Sequence, residues 1–306
     1  MQKFDVPLEQ ATTSSLEALK AYSLAQKAHS EKGPAAALPY DQRAIELDPN
    51  FAMGYRAVGN DYYSLSELGR ASEYYTKAFQ LREHASEREK LAITADYYQN
   101  VTGELDKAAQ TFQEEIESYP RESRGYSNLG TVYGAQGQYE KAAEITRQAL
   151  RLAPDRVGNY ANLANYSLPT QRFDETRQII HEAQARKMDA FPLHSALYVL
   201  AFLEVDSGAM AEQQEWFAGK PAYENFGLAL ASDTEAYGGH LAKTRELTKR
   251  AVDAAIRADS KESGAIWLRI VSYPHRPQSG HIMCYLNRTY HVLPTGRRCN
   301  PCTNPL

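Results

Sequence analysis

The chain has 306 residues, 43 % of them apolar and 24 % charged, with a formal charge of −4. That balance is enough for a core but lacks the basic excess that marks a nucleic-acid binder. The longest apolar stretch, Ala196–Val205, falls far short of the ~20 residues a bilayer span needs. The opening MQKFDVPLEQ has no basic-then-apolar secretory pattern, so a cytoplasmic location is expected.

In chain order, residues 1–13 read as a linker, and Ser14 with Glu17 is the capping-box pattern before a first helix. A first helix pair is expected near 17–50, with Pro39 inside its second helix and RAIELDP closing it. A second pair, near 51–86, carries Tyr55, Val58, Gly59 and Tyr62, then Ala71, Tyr75 and Ala78. A third is expected near 87–121. The fourth, near 122–155, repeats the spacing with Tyr126, Leu129, Gly130, Tyr133, Gly137, Ala142, Ala149 and Pro154. Tyr160, Leu163 and Ala164 follow 34 residues after their counterparts and open a fifth pair near 156–189. Two more degenerate pairs, near 190–220 and 222–258, complete the series, with a capping-box pattern at Ser232 and Glu235. An unpaired helix start is expected over 261–270. The step from Tyr55 to Tyr126 is 71 residues, 34 plus 37, so the intervening repeat has gained three.

The spacing has a physical reading. Tyr-x-x-Leu-Gly-x-x-Tyr places its residues at i, i+3, i+4 and i+7, one helical face. Gly130 stands where the partner helix must come close, because overpacking there costs about 1–3 kcal/mol. Gly137 suits a turn that needs φ > 0, and Pro154 ends the second helix. A lone hairpin cannot bury its apolar face, so stacked neighbours must supply the core.

These residues resemble the tetratricopeptide repeat. The resemblance implies an all-α solenoid of about seven antiparallel helix pairs in a right-handed superhelix over residues 14–270. The first repeat departs from the pattern at Asp41, where the family usually places an aromatic. Groove positions of the first helices, carried over residue by residue, are Arg56, Asn60 and Tyr63; Arg124, Ser127, Asn128 and Thr131; and Asn162 and Asn165. Asn offers donor and acceptor together to an extended peptide. Arg56 with Asn60 resembles half of the carboxylate clamp of some co-chaperones, but Thr94 stands where the next Asn belongs. More narrowly, KFDVPLEQATTSSLEALKAYSLAQKA with PYDQRAIELDPNFAMGY resembles the C-terminal repeat region of bacterial eukaryotic-like serine/threonine kinases. No glycine-rich nucleotide loop, His-Arg-Asp or Asp-Phe-Gly occurs in the chain, so kinase chemistry is not carried over.

Other chemistry is sparse. No Cys precedes Cys284. His181-Glu182 begins a zinc-protease motif, but Ala185 replaces the second ligand. Glu114-Glu115 reads as a solvated helix face, and Tyr97-Tyr98 as core and groove. Residues 271–306 carry four Arg, no acid and five Pro, and read as an irregular or disordered tail. Within it, His281, Cys284, Cys299 and Cys302 have the paired spacing of tetrahedral zinc, a weak candidate beside the disordered reading. No cofactor is implied. The expected function is a non-catalytic scaffold for a protein or peptide, with no nucleic-acid partner favoured and the oligomeric state open. The alternative is the regulatory array of a serine/threonine kinase or transcriptional regulator.

Overall fold

The computed structural model describes residues 12–260, 262–265 and 267, and the described residues form fourteen α-helices and no strand. They run α1 (Leu16–Lys32), α2 (Pro34–Leu47), α3 (Ala52–Ser64), α4 (Leu68–Gln80), α5 (Glu87–Tyr97), α6 (Leu105–Ser118) and α7 (Ser123–Ala135). Then follow α8 (Tyr139–Leu152), α9 (Val157–Ser167), α10 (Phe173–Ala185), α11 (Phe191–Leu203), α12 (Ser207–Phe217), α13 (Glu224–Tyr237) and α14 (Leu241–Arg257). None of the described helices is long and apolar enough to cross a membrane. The linker residues 1–11 and the tail with its zinc candidate lie outside the described residues.

One residue in the turn of each helix pair has positive φ: Gly33, Ser66, Gly103, Gly137, Gln171, Val205 and Gly239. The left-handed residue lets the chain reverse between the two helices of a pair. Gly137 does so freely, with open space where a Cβ would stand. Val205 does so at a cost, since a β-branched side chain crowds its own carbonyl at φ 60°.

Burial follows the same 34-residue register. Ala44, Ala78, Ala149, Ala183, Phe217 and Ala251, one from each second helix but the third, are all at most 1 % exposed. Tyr126 Oη donates to the Pro120 carbonyl and Tyr160 Oη to the Pro154 carbonyl, the same bond one repeat apart. Gly59 is needed by its neighbour, because an added Cβ would sit 2.9 Å from the Tyr75 ring. The link before α5, residues 81–86, is two residues longer than the links before α3, α7 and α9 and holds a 3₁₀ turn, Arg82–His84. That link ends in a capping box at Ser86 and Glu89, which the sequence reading passed over.

Three local expectations are corrected. The cap of α1 is Ser15, which accepts from the Ala18 amide, not Ser14. Ser232 and Glu235 cap nothing, because both lie inside α13, whose helix starts at Glu224. Glu115 is 4 % exposed rather than solvated, although Glu114 is exposed. His181 and Glu182 are exposed, as a solvated pair would be.

The described residues fall into two compact units, divided within α7: through Val132 with Asp259–Ser263, and from Tyr133 through Ala258 with residues from Gly264. The first packs Ala18, Phe51, Val58, Tyr75, Ile93 and Phe112. Here Glu262 caps α4, accepting from the Gly69 amide at 2.8 Å. The second packs one continuous cluster that includes Tyr160, Leu163, Leu193, Phe217, Leu230 and Trp267.

Val205 is 85 % exposed, so its backbone strain is not offset by packing. Val205→Gly should raise the unfolding free energy by about 1 kcal/mol, strain relief outweighing the added freedom of the unfolded chain. A urea midpoint that fails to rise would show that the turn is not strained.

Candidate functional site

The third repeat breaks the small-residue register twice. Asp96 stands 37 residues after Gly59 and 34 before Gly130; Glu115 stands 37 after Ala78 and 34 before Ala149. Both acids therefore sit where neighbouring repeats use glycine or alanine, and both are buried, at 5 % and 4 % exposure. Buried carboxylates need counter-charge. Arg56, from α3, supplies it: its Nε lies 2.7 Å from Asp96 Oδ2. Arg124, from α7, adds a second positive charge that acts on both Asp96 and Glu115. The four groups form a neutral quartet.

Electrostatics agree with this assignment. Burial pushes the Asp96 carboxyl above its usual range, and the Arg56 and then Arg124 charges pull it back. Glu115 is raised for the same first reason, with Arg56 opposing. Burial is the largest single influence and works to strip Arg56 of its proton, but Asp96 together with Tyr22, Tyr75 and Glu115 outweighs it, and the guanidinium binds its proton more tightly than usual.

The expected groove residues are thereby sorted. Arg56, expected on an open wall, is 4 % exposed and committed to Asp96, so it has no face left to clamp a ligand carboxylate. Asn60 is half-buried, its Oδ1 accepting from Tyr75 Oη at 2.8 Å. Thr131 donates to the Asn128 carbonyl at 2.7 Å and accepts from Gln99 Nε2 at 3.4 Å. Ser127 and Arg124 are half-buried. Asn128 keeps a buried side-chain amide nitrogen with no hydrogen-bond partner among the described residues. In the second unit Asn162 is half-buried and Asn165 is buried with its Oδ1 unpartnered. Tyr63 differs from all of these. It exposes 47 % of its surface, yet crowded low-dielectric surroundings and the Asp96 charge hold its hydroxyl above the ordinary tyrosine range. Tyr97, in the next first helix, stacks on Phe79 at 4.0 Å.

A second buried acid pair was not anticipated. Asp41 in α2 and Asp61 in α3 are 1 % and 2 % exposed. Asp41 occupies the aromatic position of the first repeat, and its departure from the pattern was the sequence signal. Burial raises both carboxyls, and the Asp41 charge raises Asp61 further, so the pair holds a proton between its two carboxyls. His29 Nε2 stands 3.9 Å from Asp61, from a half-exposed ring. Among the described residues no group of three His, Cys, Asp or Glu is placed to hold a metal ion.

Consecutive helix hairpins in a 34-residue register, with small residues at the helix contacts, define a helical-repeat protein. Residues 123–156 match the family model described as tetratricopeptide repeat. The Photosystem I assembly protein Ycf3 of Prochlorococcus marinus is 31 % identical over 134 residues, 39 % of this chain and 72 % of that protein. Its counterpart in Rippkaea orientalis is 27 % identical over 149 residues, 44 % of this chain and 82 % of that protein. Among solved structures, a tetratricopeptide repeat protein from Parabacteroides merdae is similar at 16 % identity and a TM-score of 0.48, covering 84 % of this chain and 100 % of that one. The chain belongs to the tetratricopeptide repeat family.

Two outcomes follow from the buried charges. Arg56→Ala should destabilise the chain by about 3–5 kcal/mol, because it strands Asp96 without counter-charge. Arg56→Met combined with Asp96→Leu should recover most of that loss in denaturant unfolding. For Asp41 and Asp61 the folded chain keeps protons that the unfolded chain releases. Their stabilisation is therefore complete below the ordinary carboxyl range, ~4, and is lost as pH rises through about 7 to about 9. Asp61→Asn should raise the melting temperature at pH 9 and give a narrowing advantage toward pH 5.

Proposed function

We propose that the chain is a non-catalytic scaffold that holds a protein or peptide partner against its first-helix residues. The observation that carries this reading is Tyr63, a large ring left 47 % exposed among polar neighbours whose hydrogen bonds are mostly spent within the fold. Aromatic rings of this kind supply contact area at low entropic cost. The buried, unpartnered amide nitrogen of Asn128 supports it, because such a group gains most from a carbonyl brought by a ligand. Arg56 takes no part in recognition; its role is to hold Asp96. An assembly role, in which the partner is held while a larger complex is built, draws its support from the two assembly proteins that share the repeats.

A regulatory array serving a kinase or transcriptional regulator is the second reading, and it rests on the resemblance of the first repeat's sequence. Reading the DNA upstream of Met1 separates the two: an in-frame kinase or DNA-binding segment favours it.

The scaffold reading is tested by affinity capture with the full chain, followed by the same capture with Tyr63→Ala plus Asn128→Ala. Recovery of the captured partners should fall about tenfold, the loss of one contact-rich ring and one hydrogen bond. Circular dichroism should stay unchanged. Equal recovery with an intact fold overturns the assignment of these residues.

A further inference from the structure

In the second unit, α13 and α14 enclose a cleft lined by Ala229, Ser232, Asp233, Thr248, Ala251 and Trp267. It has about 200 Å³ of empty space counting its open mouth. Asp233 stands in the register of Thr131, Asn165 and Val199, each 34 residues after the last. It is thus the seventh repeat's version of a groove position, but buried to 5 % exposure.

Every donor of the lining is already used. Thr248 Oγ1 donates to the Thr244 carbonyl at 2.9 Å. Ser232 Oγ lies 3.1 Å from that carbonyl and 2.7 Å from Thr248 Oγ1, so its single proton is spent in the same triangle. Trp267 Nε1 donates to Asn225 Oδ1 at 3.2 Å. What remains toward the cleft is acceptors: the hydroxyl lone pairs and the Asp233 carboxyl. Among the described residues no cation pairs with Asp233, and burial is the one cause that lifts its carboxyl, to about 7.

We propose that this cleft binds a primary ammonium group, taken up between the Asp233 carboxylate, Ser232 Oγ and Thr248 Oγ1 beside the Trp267 ring. An ammonium is donor-only and compact, which matches an acceptor-only lining with room for one small group. It brings the counter-charge a buried carboxylate requires, and the indole adds an attractive surface for a cation. A quaternary ammonium has no N–H to give and is too wide. The ammonium has two possible sources, a small free amine or a lysine side chain of a bound partner. The site stands whether or not the first unit's wall holds a partner.

The test uses the full chain and the indole N–H signal of Trp267 in nitrogen-15 NMR, distinguished from Trp216 by the variant Trp216→Phe. At pH 8 and constant ionic strength, methylammonium chloride is titrated against sodium chloride and tetramethylammonium chloride. A lysine-centred pentapeptide is titrated against its acetyl-lysine form. A saturable shift of the Trp267 signal with methylammonium or the lysine peptide, absent in the three controls, supports the site. Response to methylammonium assigns a free amine, and response to the peptide alone assigns a partner's lysine. Asp233→Asn should weaken the response at least about tenfold while keeping the helical circular dichroism. Lowering the pH from 8 to 6 should weaken binding to the native chain, because protonation removes the carboxylate charge. Silence toward both amines, an equal response to tetramethylammonium, or an undiminished response in the folded Asp233→Asn variant overturns the proposal.

Discussion

Close approach between the two helices of each hairpin is the constraint on which everything else rests. It demands small residues at fixed register positions, and alanine meets the demand in five of the seven second helices, each at most 1 % exposed. Where the chain departs from small residues there, the departure has to be compensated locally, and the compensation determines which polar groups are left for a partner. Asp96 and Glu115 are two such departures in one repeat. They draw Arg56 and Arg124 inward, and a residue that repeat register alone places on the outside becomes part of the core.

This explains why the fold was legible and the site only partly so. Helix pairs are written in the spacing of Tyr, Gly, Ala and Pro, because each position answers to a packing requirement that recurs every 34 residues. Even the three-residue gain was readable, as the step of 71 between Tyr55 and Tyr126. The burial of Arg56 was not, because it depends on an acid 40 residues away whose own burial follows only once the shifted register of the third repeat is applied. With that register in hand, an Asp at a glycine position and a Glu at an alanine position are the visible warning. Capping errors arose differently. Ser232-x-x-Glu235 has the right residues, but tertiary packing of α13 begins the helix two turns earlier, and a local motif yields to it.

The two buried acid systems of the first unit solve the same problem by opposite means. Asp96 is neutralised by charge: an arginine at 2.7 Å lets it stay ionised in a dry setting. Asp41 and Asp61 are neutralised by a proton, since the nearest basic group, His29, is half-exposed and 3.9 Å away. The first solution holds the charge in place with a partner charge, whereas the second ties the pair to pH through its raised carboxyls, at about 7 and about 9. Stability of the packing of α2 on α3 is therefore tied to pH through the Asp41–Asp61 pair.

Asp233 belongs to neither class, and the contrast is informative. It has the burial of Asp96 without the arginine, and the raised carboxyl of Asp41 without a second carboxyl to share its proton. Its neighbours have turned their hydroxyl protons away from it toward the Thr244 carbonyl. A lining evolved only to bury a protonated acid would gain from an acceptor aimed at that proton and has no need of an open cleft. The same three oxygens around an open space are instead consistent in charge and polarity with a small donor arriving from outside. Within one register position, then, the chain places an amide in the fifth repeat, a valine in the sixth and an acid in the seventh. The frame is held constant by packing while the chemistry offered at each step changes.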